Sequence, residues 1–200
     1  MSELFSIQLQ NRQQQGRDGV WLDLPTTTEQ VQAALRQIGI SSDNPQGLFI
    51  SGYFAEEEKR IAIPYNMVLA SNVDELNFLA SRLETLSAGE RAELNAALQA
   101  PQSELFSIGR ITDFPENVDY YVHLPDVRGP AQLGDYYLNR SGMVDMPEEW
   151  KGGIDTAQFG RYVAQQEQGA FTQYGYLVKS GDEWQKVHEG QPVPEEYRVL

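Results

Sequence analysis

The chain has 200 residues, no cysteine, 40% hydrophobic residues and a formal net charge of -14. That length and apolar share support one large folded domain or two to three small ones, which excludes a wholly disordered chain. Without cysteine, disulfides, thiolate nucleophiles and thiolate metal sites are excluded together. An acidic protein repels nucleic acid and anionic membranes and favours basic partners, although solubility alone also accounts for acidity. The opening residues, Met1-Ser2-Glu3-Leu4-Phe5-Ser6-Ile7, carry no basic start and no long apolar run. Neither a signal peptide nor a membrane span is expected, the expected location is the cytoplasm, and Asn139-Arg140-Ser141 reads as a chance sequon.

Ser2-Glu3-Leu4-Phe5-Ser6-Ile7 recurs letter for letter as Ser103-Glu104-Leu105-Phe106-Ser107-Ile108. Ordinary residue usage yields six such identities about once in a thousand chains of this size, so the echo is read as a repeat. Val20-Trp21-Leu22-Asp23-Leu24-Pro25 is answered by Tyr120-Tyr121-Val122-His123-Leu124-Pro125, and each copy reads as strand, strand, helix. In the first copy, strands are expected over 4–10 and 20–24 with a loop over 11–19. Thr26-Thr27-Thr28 with Glu29 and Gln30 caps a helix whose apolar residues are Val31, Ala34, Leu35 and Ile38, stopped by Gly39. Segments 47–54 and 61–68 read as two further strands flanking Glu56-Glu57-Glu58-Lys59-Arg60.

The middle differs in kind. Ser71 or Asn72 caps a helix with Val73, Leu76, Leu79, Ala80, Leu83 and Leu86 on one stripe, and Ser87-Ala88-Gly89-Glu90 opens another with Leu94, Ala97 and Leu98. The two are expected to form an antiparallel pair, ended by Ala100-Pro101-Gln102. Beyond the second strand pair, helices are expected over 131–140 and 155–166, a strand over 170–179, a turn at Ser180-Gly181-Asp182 into 183–188, and then an extended tail.

Signatures of catalysis are missing from this pattern. His123 and His188 have no partner at metal-binding spacing, no phosphate-cradling glycine loop or nucleophile elbow is present, and no cofactor is expected. His123 is assigned a cross-strand or surface role, and paired carboxylates remain the one route to acid–base chemistry. Residues 104–200 hold sixteen acids against eight bases, the larger part of the excess. Asp113, Glu116, Asp119, Asp126, Asp135, Asp145, Glu148, Glu149 and Asp155 are spread out there rather than bunched. Duplex DNA presents a charge about every 1.7 Å along its axis, so dispersed carboxylates suit a phosphate mimic as well as an ordinary solvated face. Tyr120-Tyr121 and Tyr136-Tyr137 read as core or interface pairs rather than base-stacking platforms.

Several of these stretches, in order, resemble the ArdA antirestriction family. They are Gly19-Val20-Trp21-Leu22-Asp23-Leu24-Pro25, Ile38-Gly39-Ile40, Leu48-Phe49-Ile50-Ser51-Gly52-Tyr53, and Val73-Asp74-Glu75-Leu76-Asn77-Phe78-Leu79-Ala80. Near the end, Gly153-Ile154-Asp155, Phe159-Gly160-Arg161, Gly169-Ala170-Phe171 and Tyr174-Gly175-Tyr176 continue the likeness. The resemblance implies an elongated α+β protein of small domains in a row that dimerises into an acidic rod imitating bent DNA. It implies type I restriction-modification enzymes as partners, through their basic DNA-binding groove, with no nucleic acid or membrane bound directly.

The expected fold is thus α+β, an elongated chain of two related α+β units flanking a short helical pair. The expected domains are 1–70, 71–102, 103–180 and a hairpin or tail at 181–200. The alternatives are a mobile-element interaction module of the same fold with a partner unrelated to DNA, and an enzyme using paired acids.

Overall fold

A computed structural model of the chain describes residues 4–14, 18–41, 45–56 and 61–200. Ser2 and Glu3 of the first echo copy, positions 15–17 of the first loop and positions 57–60 of the acidic-basic run lie outside the described residues. The fold is mixed α+β, with eight helices and two three-stranded antiparallel sheets among the described residues. The chain forms two compact units, one of Met1–Ser87, Leu105–Glu116 and Gln185–Leu200, the other of Ala88–Glu104 and Asn117–Trp184.

In the first unit, β1 (Phe5–Asn11) pairs with both β2 (Val20–Leu24) and β3 (Leu48–Phe54). Phe5, Ile7 and Leu9 alternate into the core while Ser6, Gln8 and Gln10 point the other way, the period-2 signature of a half-buried strand. The helix α1 (Thr28–Gln37) is opened by a complete capping box between Thr27 and Gln30, and it buries Val31, Ala34 and Leu35. Gly39, at φ 69°, supplies the left-handed residue that ends it. The strand expected over 61–68 does not form. Pro64 lacks the N–H a sheet ladder needs but suits a helix start, and α2 (Tyr65–Ala70) begins there.

The next helix, α3 (Val73–Leu83), is capped by Asn72 and Glu75 acting reciprocally, and Val73, Leu76, Leu79, Ala80 and Leu83 are all buried. Asn77 is buried too, yet its amide is used at both ends: Oδ1 accepts from the Thr26 N–H at 2.7 Å and Nδ2 donates to the Tyr197 carbonyl at 3.0 Å. The second copy of the six-residue echo is not a strand. Ser107 accepts from the Arg110 N–H and opens α5 (Ile108–Thr112), which buries Arg110, Ile111 and Thr112. The described part of the first copy, Leu4–Ile7, and its counterpart Leu105–Ile108 therefore take different conformations because their downstream neighbours differ. After Ile7 the next apolar residue is Leu9, two positions on, whereas after Ile108 it is Ile111, about one helical turn on.

In the second unit, α4 (Ala88–Gln99) packs on β4 (Tyr121–Leu124) and β6 (Gly175–Lys179), with β5 (Ala170–Thr172) completing the order β4-β6-β5. The expected single strand over 170–179 is a hairpin. Thr172 Oγ1 accepts from the Tyr174 N–H and donates to the Gly175 carbonyl, and Gly175 sits at φ 130°. Segment 183–188, expected as a strand, adopts none, and the tail beyond it is irregular, with one turn at His188–Gln191, where Gly190 sits at φ 77°, and another at Glu195–Tyr197.

The remaining helices of this unit are α6 (Pro130–Asp135), which runs into a π-turn at Tyr136–Arg140, α7 (Glu148–Lys151) and α8 (Thr156–Glu167). The helices α6 and α8 touch backbone to backbone. A Cβ on Gly160 would stand 1.8 Å from the Pro130 carbonyl oxygen, and one on Gly134 would stand 1.9 Å from that of Thr156. Gly160→Ala is expected to cost about 3 kcal/mol in chemical denaturation, because only backbone can yield. Gly152→Ala, with open space around it, should cost less than about 0.5 kcal/mol by the same measurement.

Candidate functional site

Carboxylates carry the candidate chemistry, so their placement decides what this protein can do. Asp119, Asp126, Asp145 and Glu149 are exposed in the second unit. Glu148 is also exposed and lies 3.0 Å from the Lys151 ammonium. Asp135 is half-exposed and faces Arg140 at 3.4 Å, while Asp155 caps α8 by accepting from the Ala157 and Gln158 N–H groups yet stays open to solvent. Glu116 is exposed, belongs to the first unit and pairs with Arg82. Exposed pairs of this kind contribute at most about 1 kcal/mol, so the acids remain available to a stronger cationic partner.

Asp113 is the exception. It is fully buried, and its two oxygens accept from the His188 N–H at 2.6 Å and the Glu189 N–H at 3.2 Å. Nothing of it reaches the surface, so it is removed from the set of surface carboxylates. Its acidic neighbours in sequence gave no sign of this, but Phe114 and Ile111 on either side of it are core residues.

Folding also redistributes the charge. Read along the chain, residues 104–200 hold most of the acidic excess; read by compact unit, the excess is even. The first unit has sixteen acids and nine bases and the second thirteen and six, a net of -7 in each. The difference arises because Leu105–Glu116 and the acidic tail belong to the first unit.

Glu93, on α4, was not among the residues singled out by sequence. Its Oε1 is buried without a hydrogen-bond partner. Burial first, then the charges of Glu90 and Asp119, push its carboxyl up to about 7. Two like charges and lost water both penalise ionisation. A helical acid at a half-apolar position, three residues after Glu90, is the sequence signal that could have found it.

The paired tyrosines are structural. Tyr120 and Tyr121 meet edge to face at 4.9 Å and both are buried, and burial pushes the Tyr121 hydroxyl up to about 12. Tyr137 donates to one oxygen of Glu167 and Tyr176 to the other at 3.0 Å, and burial together with that carboxylate raises both hydroxyls. His123 Nε2 lies 2.9 Å from the Tyr174 carbonyl and holds the β5–β6 turn; its strand position pairs with Leu177. Among the described residues no three His, Asp or Glu side chains are grouped to hold a metal, and no helix is long and apolar enough to cross a membrane.

A mixed α+β fold whose distinctive chemistry is dispersed surface carboxylate defines an acidic protein that acts by presenting charge. The family model described as Antirestriction protein (ArdA) matches residues 15–178, and the chain belongs to that family. Its members are non-enzymatic DNA mimics that inhibit type I restriction-modification enzymes. No curated protein matches the sequence.

The placement of the acids has two measurable consequences. Glu93 holds its proton to higher pH folded than unfolded, so its ionisation removes stability as pH rises from about 4.5 to about 7. Glu93→Gln should therefore be more stable than the parent at pH 8, by on the order of 1 kcal/mol given its partial exposure, and the two should converge at pH 4 in thermal unfolding. Asp113→Asn should lose about 2 kcal/mol at neutral pH, since one of its two acceptors becomes a donor facing a donor.

Proposed function

We propose that this protein enters the basic DNA-binding groove of a type I restriction-modification enzyme with the carboxylates Glu116, Asp119, Asp126, Asp135, Asp145, Glu148, Glu149 and Asp155 standing in for phosphates. The observation that carries the reading is that all eight are wholly or partly exposed and that four of them, Asp119, Asp126, Asp145 and Glu149, meet neither a cation nor a helix-capping N–H among the described residues and are spread from the turn before β4 to α7. Displacing small counter-ions from both surfaces drives such binding, as it does for DNA itself. The proposal includes the rest of what the family likeness implies: an elongated arrangement of small domains, a homodimer, action inside the cell and carriage on a mobile element such as a conjugative transposon.

Purified protein added to a type I enzyme and its DNA should block cleavage, and the block should weaken steeply with added salt. Asp126→Asn alone should change the inhibitory concentration less than about threefold, because each carboxylate is one of many. Neutralising Asp119, Asp126, Asp145 and Glu149 together should raise it by about a hundredfold or more. Undiminished cleavage at large molar excess rejects the reading, and a single neutralisation that abolishes inhibition rejects the distributed mechanism. Sedimentation equilibrium reads the homodimer directly.

A further inference from the structure

The family match ends at residue 178, yet the chain continues, and Gln185–Leu200 belongs to the first compact unit. This segment, which turns at His188–Gln191 and at Glu195–Tyr197, is held by its backbone near both ends. At one end Asp113 accepts from the His188 and Glu189 N–H groups; at the other, Asp74 Oδ1 accepts from the Val199 N–H at 2.8 Å and the Leu200 N–H at 2.9 Å. Capturing backbone amides at both ends fixes direction and register whatever the side chains between.

Side chains then add selectivity. The rings of His188 and Tyr197 lie against Phe78 at 4.9 and 4.7 Å, Glu189 meets Arg110 at 3.2 Å, and Asn77 donates to the Tyr197 carbonyl. Val199 is buried. Between the two anchored ends the segment borders a cavity. Gly190, Gln191, Pro192 and Val193 line it together with Met67, Ala70 and Ile108, and its volume is about 580 Å³. Gly181, Asp182 and Glu183, between the last strand and Trp184, are exposed, and Gly181 has nothing within 4 Å of where a Cβ would stand.

We propose that α3 and α5 build a peptide-docking face and that residues 185–200 occupy it as a displaceable strap, docked in cis. The cavity under its middle is what an end-anchored segment leaves, since a strand of the core packs along its whole length. The occupant is this chain's own C-terminal segment; the chemistry the face selects is a peptide with an aromatic ring two residues before a pair of backbone amides that a carboxylate can capture.

The test uses the full chain with a specific protease site placed at Gly181-Asp182. After cutting, the strap should stay bound in size-exclusion chromatography, and a labelled synthetic peptide of residues 185–200 should replace it saturably. The same peptide carrying Tyr197→Ala should bind at least about tenfold more weakly, having lost its ring contact. Release of the cut strap with no change in thermal midpoint, or failure of the peptide to exchange without unfolding, would overturn the proposal. In the uncut chain, the amides of His188, Glu189, Val199 and Leu200 should exchange hydrogen together and sooner than those of α3. If they are protected as long as α3, the strap is a fixed part of the core and the proposal fails. Neither readout involves a restriction enzyme, so the result stands apart from the antirestriction reading.

Discussion

Repulsion among like charges is the constraint on which this structure turns. A chain with a net charge of -14 stays folded only if its carboxylates are kept in water and apart, or are fully satisfied where they are buried. Both solutions are visible. Eight of the nine candidate acids lie exposed or half-exposed on loops, helix ends and short helices, while Asp113 is withdrawn completely and receives two backbone N–H groups. Glu93 meets neither condition, which is why its carboxyl holds its proton toward neutral pH.

The same demand for satisfied polar groups explains how each core is pinned. Asn77 sits among apolar neighbours and still bridges the Thr26 N–H and the Tyr197 carbonyl. In the second unit Glu167 takes a hydroxyl from each of two tyrosines and so joins α8 to the π-turn and to β6. The core around Val127, Leu133 and Tyr176 is small, and a satisfied polar contact at its edge fixes one arrangement where apolar packing alone would admit several.

Much of this was legible from sequence wherever a local rule had no competitor. The run Thr26–Thr28 with Glu29 and Gln30, and the choice of Ser71 or Asn72, announced two helices by capping chemistry, and both formed, with reciprocal caps at Thr27–Gln30 and Asn72–Glu75. The alternation of Phe5, Ile7 and Leu9 announced β1. Local identity failed when context competed with it: the echo at Ser103–Ile108 copies a strand, yet Ser107 and the spacing of Ile108 and Ile111 make a helix. The residues Ile61 and Ile63 look like strand residues and are buried, but Pro64 diverts the chain into α2. Of the nine candidate carboxylates, Asp113 was misplaced because burial of an acid depends on amides 75 residues away. Glu93 was missed because its neighbour Asp119 approaches only through the fold.

The crossing of α6 and α8 carries a last consequence. Gly134 and Gly160 admit no side chain, since each faces a backbone carbonyl within 2 Å of where one would begin. The surface acids are under no such restriction, because a distributed field is preserved when one carboxylate vanishes and another arises nearby. In lineages descended from this gene, drift should therefore be fastest across the acidic surface and slowest at two silent glycines. Relatives would then keep their architecture long after their charges have ceased to align, an inversion of the usual rule that the working residues are the last to change.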